Sequence, residues 1–126
     1  MSEQNIISSY TNEDAIEDGL FVDATEICRE WTKEPFRVIF THSLWNIVNP
    51  DEELEKEGQS LTGRLHDVFS VFHAYVKAGK EDEGMVVFTV AFVKELGKPA
   101  TDQKIWCFLE EDDKGPIIKF IRPEDY

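Results

Sequence analysis

The amino-acid sequence predicts an α+β fold: a single domain in which N-terminal short helices and one long helix pack on a mainly antiparallel sheet that ends in a C-terminal meander. Apolar residues recur at the helical period over residues 60–78. Beyond residue 84, three runs rich in β-branched and aromatic residues are separated by turn residues. A chain of 126 residues suits one domain, predicted over residues 10–126 after a flexible lead over residues 1–9.

The first two helices are each predicted from a capping residue. Thr11 precedes a polar stretch that stops at Gly19, which is typical of a helix end. Asp23 precedes a second stretch, which is expected to bury the apolar residues that share one helical face. These residues are Ala24, Ile27, Cys28 and Trp31.

A strand, a short helix and an acidic stretch are predicted next. Alternating apolar residues over 36–40 favour a strand. Thr41 is a suitable cap for the following helix, which Pro50 ends. The acidic residues 51–57 are predicted to form one or two helical turns before Gly58.

The longest helix, over residues 60–78, is expected to supply one wall of the core, with strands over 85–94, 105–109 and 116–121 supplying the other. An acidic turn is predicted between the last two strands. The helix residues expected in this core are Leu65, Val68, Phe69, Phe72 and Val76. The strand residues expected opposite them are Val87, Phe88, Val90, Phe92, Ile105 and Phe108.

The charge of the chain restricts its partners. Asp and Glu number 26 against 13 Lys and Arg, so the formal net charge is −13. Such a charge repels nucleic acid and anionic membranes and attracts basic protein surfaces. We therefore expect a partner protein with a basic surface, and neither direct nucleic-acid binding nor membrane binding. The absence of a signal-like N-terminus and the placement of both cysteines in apolar patterns favour a cytoplasmic protein with buried free thiols.

Two dense acidic runs form the candidate partner-binding surface. They consist of Glu52, Glu53, Glu55 and Glu57, and of Glu110, Glu111, Asp112 and Asp113. Such a surface could imitate the phosphates of nucleic acid and occupy a basic groove on a host nucleic-acid-binding or defence protein. A surface that serves solubility alone is the alternative interpretation of the same runs.

A polar pocket near the start of the long helix is the second hypothesis, and it would belong to a small enzyme or a ligand-binding domain. Its residues are Asp23, Arg64, His66 and Asp67, and the spacing of Arg64 and Asp67 favours an ion pair. A third hypothesis is a homodimer formed through an exposed strand or an aromatic patch.

Catalytic residues, cofactors and metals are not predicted. No nucleophile motif or phosphate-binding loop is present in the sequence. His66 and His73 are seven residues apart, which corresponds to roughly 10 Å along a helix. That separation is too long for two ligands of one ion, so we expect no metal site.

Three stretches resemble a family of small bacterial, plasmid and phage proteins that is catalogued as a domain of unknown function. Residues 10–23 show a similar Tyr-Thr, then Ala-Ile, an acidic residue, Gly and an apolar run closed by Asp. Residues 63–68 are similar to the family's Gly-Arg-Leu-aromatic-Asp, with His66 where an aromatic residue is usual. The third stretch is the closing hairpin, where an acidic turn with Gly leads into Pro116 and a final Pro-Glu-Asp. The resemblance implies a mobile-element context and one globular domain, and it brings no reaction and no catalytic residues.

Overall fold

The computed structural model describes residues 10–126, so the flexible lead predicted over residues 1–9 lies outside the described residues. One helix, two strands and three further helices precede three consecutive strands and a short 3-10 turn. In chain order the elements are α1 (Asn12–Glu17), β1 (Phe21–Asp23), β2 (Arg37–Thr41), α2 (His42–Val48), α3 (Glu52–Lys56), α4 (Leu61–Lys77), β3 (Met85–Phe92), β4 (Thr101–Asp112), β5 (Gly115–Ile121) and the turn Pro123–Asp125. The predicted α+β fold, with one long helix and C-terminal strands, is confirmed.

All five strands belong to one sheet, in the order β1-β2-β5-β4-β3. The pairs β3–β4 and β4–β5 are antiparallel, as the predicted meander requires, and the pair β1–β2 is antiparallel as well. The pair β2–β5 is parallel and joins residues 37–40 to residues 117–120. The last strand therefore lies at the centre of the sheet, and β1 and β3 form its two edges.

The core lies between α4 and one face of the sheet. Phe120 on the central strand β5 contacts aromatic rings from three directions, with centroid distances of 4.9 Å to Phe40, 5.4 Å to Phe69 and 5.6 Å to Phe72. The buried residues of α4 include Leu65, Val68, Phe69 and Phe72, and those of β3 and β4 include Val86, Phe88, Val90, Phe92, Ile105 and Cys107.

Three residues expected in the core lie outside it. Val87 is 42 % exposed, because β3 buries its even-numbered residues and turns the odd-numbered ones to the opposite face. Phe108 lies on that opposite face and stacks on Tyr126, with ring centroids 5.6 Å apart. Val76 is 39 % exposed near the end of α4. Because β3 is a continuous run of apolar residues, its sequence does not show which of them point toward α4.

The helix predicted after Asp23 is wrong: residues 25–31 form consecutive turns. The Asp23 carboxylate accepts hydrogen bonds from the backbone N–H and the hydroxyl of Thr25, and the Thr25 hydroxyl in turn accepts one from the N–H of Val38. Such side-chain bonds to nearby backbone compete with helix formation. Ala24 and Cys28 are nevertheless buried, whereas Ile27 is exposed.

The side-chain cap predicted at Thr11 is confirmed, and two further helices begin with caps that were not predicted. Thr11 and Asp14 form a capping box on α1, and Asp51 and Ser60 accept hydrogen bonds from the first turns of α3 and α4. Thr41 makes no such cap at α2, because its hydroxyl donates to Asp125 in the C-terminal turn.

The acidic turn predicted over residues 112–115 is confirmed, and the strand before it is longer than predicted. β4 continues through residues 110–112, and the pair Asp112–Gly115 leaves only Asp113 and Lys114 in the turn. Gly115 has a φ of 114°, a value that residues with side chains rarely adopt. Within residues 10–126, no helix is both long enough and apolar enough to cross a membrane.

Candidate functional site

Two adjoining cavities follow one side of α4 and together form what we call the α4 groove. The first has a volume of about 570 Å³, and its lining includes Glu30, Ser60, His66 and Asp67. The second has a volume of about 740 Å³, and its lining includes Phe36, Phe72, Val76, Leu109 and Ile118. Trp31 lines both cavities, so the groove changes from polar to apolar across this one side chain.

The opposite wall of the groove is the turn-rich segment 24–36. Thr25 ties its start to β2 through Val38, and the Arg29 guanidinium donates to the carbonyl of Phe36 at 3.1 Å near its end. The Trp31 ring stacks on Phe69 of α4, with centroids 5.7 Å apart and planes inclined by 7°. This stacking holds the segment against the middle of α4 and leaves open space on either side.

The polar half of the groove contains three of the four residues of the predicted polar site. His66 and Asp67 are both more than half exposed, and His66 Nδ1 lies 3.9 Å from Asp67 Oδ1. Arg64 forms part of the same lining. Asp23 lies on β1 and lines neither cavity, because its carboxylate is directed to Thr25.

Arg64 is a buried structural arginine, only 4 % exposed. Nη1 donates to the carbonyl of Ile47 at 2.7 Å, Nη2 donates to the carbonyl of Val93, and the Gln59 side chain accepts from Nε and Nη2. The guanidinium also lies over the Phe92 ring, 5.4 Å from its centroid. The ion pair predicted with Asp67 does not form.

Burial lowers the pKa of Arg64 from its ordinary value, and the nearby charge of Asp51 opposes this shift. The hydrogen bonds of the guanidinium join α2, the end of β3 and α4. Arg64 therefore supports the floor of the polar half and is already occupied by protein acceptors.

The apolar half of the groove presents aliphatic and aromatic side chains to solvent. Phe36 is 36 % exposed on one side and Val76 is 39 % exposed on the other. Polar groups also line this half: Lys33 on the segment 24–36, His73 on α4, and Glu110 and Glu111 on β4. The sequence does not predict this half, because the helical stripe assigns Val76 to the core.

The two predicted acidic runs differ in how many carboxylates remain unpaired. The side chains of Glu52, Glu53, Glu55 and Glu57 are exposed, and within residues 10–126 none of them enters an ion pair. In the second run, Glu110 lies 2.8 Å from Lys119 Nζ and Asp112 lies 3.1 Å from the Arg37 guanidinium. Only Glu111 and Asp113 of that run remain exposed without an ion pair in the described part of the chain.

Asp112 is a structural carboxylate as well. Partial burial raises its pKa, but hydrogen bonds from the Lys114 N–H, the Asn12 amide and the Arg37 guanidinium outweigh this effect and hold the pKa below its ordinary value. The carboxylate thus joins α1, β2 and the last hairpin. Its participation in a partner-binding surface would require it to leave these contacts.

Both thiols are poor candidates for chemistry. Cys28 and Cys107 are fully buried in the core and unpaired. Burial raises the pKa of Cys28 to about 12, and it raises the pKa of Cys107 as well. A thiol protonated at neutral pH is a weak nucleophile. Residues 10–126 contain no group of three His, Cys, Asp or Glu side chains placed to hold a metal ion.

No family model, curated protein or solved structure matches this chain. The fold and the site together define a small α+β protein with an open groove along its longest helix. The resemblance to a family of plasmid and phage proteins remains a prediction.

Proposed function

We propose that the protein acts by binding a partner protein, and that the α4 groove receives an amphipathic segment of that partner. The segment has apolar residues that enter the apolar half and basic residues that enter the polar half. The observation that carries this proposal is that Trp31 lines both an apolar cavity of about 740 Å³ and a polar cavity of about 570 Å³ whose lining includes Glu30 and Asp67.

The apolar half has the features of a docking surface for a side chain. Phe36 and Val76 are both partly exposed and line one open cavity together with Trp31. Burying about 100 Å² of apolar area contributes about 2.5 kcal/mol to association. Interfaces concentrate such energy in a few pockets of this kind.

The polar half supplies charge complementarity. Glu30 and Asp67 line it, while the positive Arg64 is engaged by carbonyl oxygens. Its wall continues through Gly58 and Gln59 into the end of α3, where the four unpaired glutamates lie. A net charge of −13 adds long-range attraction for a basic partner and speeds its approach at low salt.

The wider proposal is that this partner is a host nucleic-acid-binding or defence protein, which the chain inhibits as a cytoplasmic accessory of a plasmid or phage. The net charge supports a basic partner, and the resemblance described above supports the mobile-element context. The two buried, unpaired thiols are consistent with a reducing compartment.

A labelled synthetic peptide tests the groove directly. The probe is a fluorescein-labelled peptide of about 12 residues with a leucine-rich half followed by a lysine-rich half, and a peptide with the same composition in scrambled order is its comparison. Fluorescence anisotropy should show tighter binding of the segregated peptide. The affinity should fall as salt rises, because basic residues meet Glu30 and Asp67.

Two matched substitutions locate the binding site. Val76→Glu places a charge in the apolar half and is expected to weaken binding at least about tenfold, which is about 1.4 kcal/mol. Leu96→Glu makes the same change at a loop residue that is 48 % exposed and lines no described cavity, so its affinity should match the unaltered protein. Equal peptide affinities of the two variants would exclude the α4 groove as the binding site of the peptide.

The acidic contribution is tested separately. The double variant Glu30→Gln, Asp67→Asn should flatten the salt dependence. Neutralising the α3 run, by replacing Glu52, Glu53, Glu55 and Glu57 with Gln, should mainly slow association. Because Glu110 and Asp112 are paired within the fold, the matching test on the second run is confined to Glu111 and Asp113. Unchanged rates and salt dependence in all these variants would contradict an electrostatic role.

A further inference from the structure

The sheet has one long open edge, which is β3. This strand has eight residues and no neighbour beyond it among residues 10–126, whereas the other edge, β1, has three residues. Edge strands are usually protected by charges, prolines or bulges. The sequence of β3, MVVFTVAF, contains no charge and no proline, and its pairing with β4 is continuous from residue 85 to residue 92.

Alternation along β3 identifies the backbone groups that face outward. Gly84 accepts a hydrogen bond from the N–H of Leu109 on β4, so residues of even number direct their backbone groups to β4. Met85 instead exchanges two hydrogen bonds with Asp82 on the outer side. The carbonyl of Val93, just beyond the strand, accepts from Arg64.

The outward backbone groups at the two ends of this edge are therefore hydrogen-bonded, whereas within residues 10–126 those in its middle are not. The N–H and carbonyl groups of Val87, Thr89 and Ala91 remain without a partner in the described part of the chain. These three residues, which we call the β3 edge, present six backbone hydrogen-bonding groups. Their side chains are also exposed, on the face opposite α4.

The β3 edge is complementary to a second copy of itself. In an antiparallel pair related by a twofold axis at Thr89, Thr89 faces Thr89 and Val87 faces Ala91, so all six outward groups on each strand find partners. Small and β-branched side chains then oppose one another on the exposed face, which favours pairing. No charged side chain of either β3 strand enters the contact, although each chain carries a net charge of −13.

Neighbouring side chains do not oppose this arrangement. Lys104 on β4 is adjacent to Thr89, so the two Lys104 residues of a pair would lie three strand spacings apart. That separation is about 14 Å, beyond the screening length at physiological salt. Trp106 is adjacent to Val87 and adds apolar surface beside the pair that Val87 forms with Ala91 of the other copy.

We propose that the protein forms a homodimer in which the β3 edges of two copies pair antiparallel about Thr89 and join the two sheets into one. The contact involves few residues and is smaller than the roughly 1,600 Å² of a standard stable interface. We therefore expect a dimer that forms and dissociates with protein concentration. The α4 groove lies on the other face of the sheet and takes no part in this pairing.

Cysteine cross-linking tests both the contact and its register. Residues directly opposite each other in such a pair have Cα atoms about 5.5 Å apart, within the range that a disulfide spans. Thr89→Cys should form a covalent dimer under mild oxidation with copper phenanthroline. Val87→Cys should not, because equivalent Val87 residues lie about 13 Å apart along the strands. Cys28 and Cys107 are fully buried and do not interfere.

Sedimentation equilibrium and hydrogen exchange test the dimer without cross-linking. The unaltered protein should associate more strongly at high salt, because salt screens the repulsion between two acidic chains. Amide exchange at residues 87, 89 and 91 should slow as protein concentration rises. Thr89→Lys should remain monomeric and folded, whereas Thr101→Lys, which adds the same charge on β4, should associate like the unaltered protein.

Two results would overturn the proposal. One is a protein that stays monomeric at every protein and salt concentration. The β3 edge would then be a site for an extended segment of another protein. The other is association without preferential linking of Thr89→Cys over Val87→Cys, which would place the interface elsewhere. Peptide binding to the α4 groove weakens with salt while this dimer strengthens, so failure of either proposal is recognised independently of the other.

Discussion

Removal of the Arg64 guanidinium is expected to destabilise the fold rather than to disable an exposed site. Arg64→Ala takes the donors from the buried carbonyls of Ile47 and Val93. Each buried acceptor left unpaired costs about 1–3 kcal/mol, so the two together cost about 2–6 kcal/mol. The variant also no longer buries a charge, which offsets part of the cost. We expect a net loss of about 2–4 kcal/mol in the free energy of unfolding.

Thermal and urea unfolding at neutral pH measure this loss. For a chain of this length, 1 kcal/mol corresponds to about 4 °C, so the melting temperature should fall by about 8–16 °C. His66→Ala is the matched control, since it removes a side chain that is 65 % exposed from the same cavity lining. Its effect on stability should stay within about 0.5 kcal/mol.

Arg64→Lys separates charge from geometry. Lysine keeps the positive charge, but its single ammonium group lacks the fork of donors with which arginine bridges Ile47 and Val93. Its stability should lie between those of Arg64→Ala and the unaltered protein. An Arg64→Ala variant that melts within about 2 °C of the His66→Ala control would refute the reasoning. The guanidinium would then be free to serve a ligand in the polar half.

Two further predictions concern the core and the last hairpin. Phe72→Ala should lower the free energy of unfolding by about 3–5 kcal/mol, because Phe72 is buried against Phe69, Phe88 and Phe120. Equilibrium denaturation should show only a small loss for Val76→Ala, since Val76 is partly exposed. Similar losses for the two variants would mean that the helix is packed differently. Hydrogen bonds lower the pKa of Asp112 below its ordinary value of 3.8. The carboxylate therefore stabilises the fold above that pH, and this stabilisation is lost as the pH falls through the lower pKa that Asp112 has in the folded protein. The melting temperature of Asp112→Asn should therefore lie below that of the unaltered protein at pH 7, with the difference shrinking in acid, and a difference independent of pH would contradict the role.

Much of the fold could be predicted where local rules apply. The period of the α4 stripe identifies Leu65, Val68, Phe69 and Phe72 as core, since a helix that covers a sheet needs one apolar face. The cap at Thr11 follows from its neighbours in sequence. The strands of the C-terminal third follow from their β-branched and aromatic residues.

The remaining features depend on contacts between distant parts of the chain. The segment after Asp23 has a helical pattern, but Thr25 bonds to Val38 thirteen residues away and holds it in turns. The facing of β3 is set by its register with β4, which a uniformly apolar run does not encode. The α4 groove lies between segments that are separated in sequence, so Trp31 and Val76 carry no local sign that they belong to one surface.

The central position of β5 has a consequence for how the chain folds during synthesis. β5 pairs with β2 on one side and β4 on the other, so neither pairing can form until residues 115–121 have left the ribosome. Before then, β2 has only the three-residue β1 as a neighbour, and Phe40 lacks the contact with Phe120. Joining residue 37 to residue 117 also closes a loop of roughly 80 residues, and such long-range pairings slow folding. The nascent chain therefore exposes apolar strands until residues 115–121 emerge, and repulsion between its acidic charges opposes the association of neighbouring nascent chains during that interval.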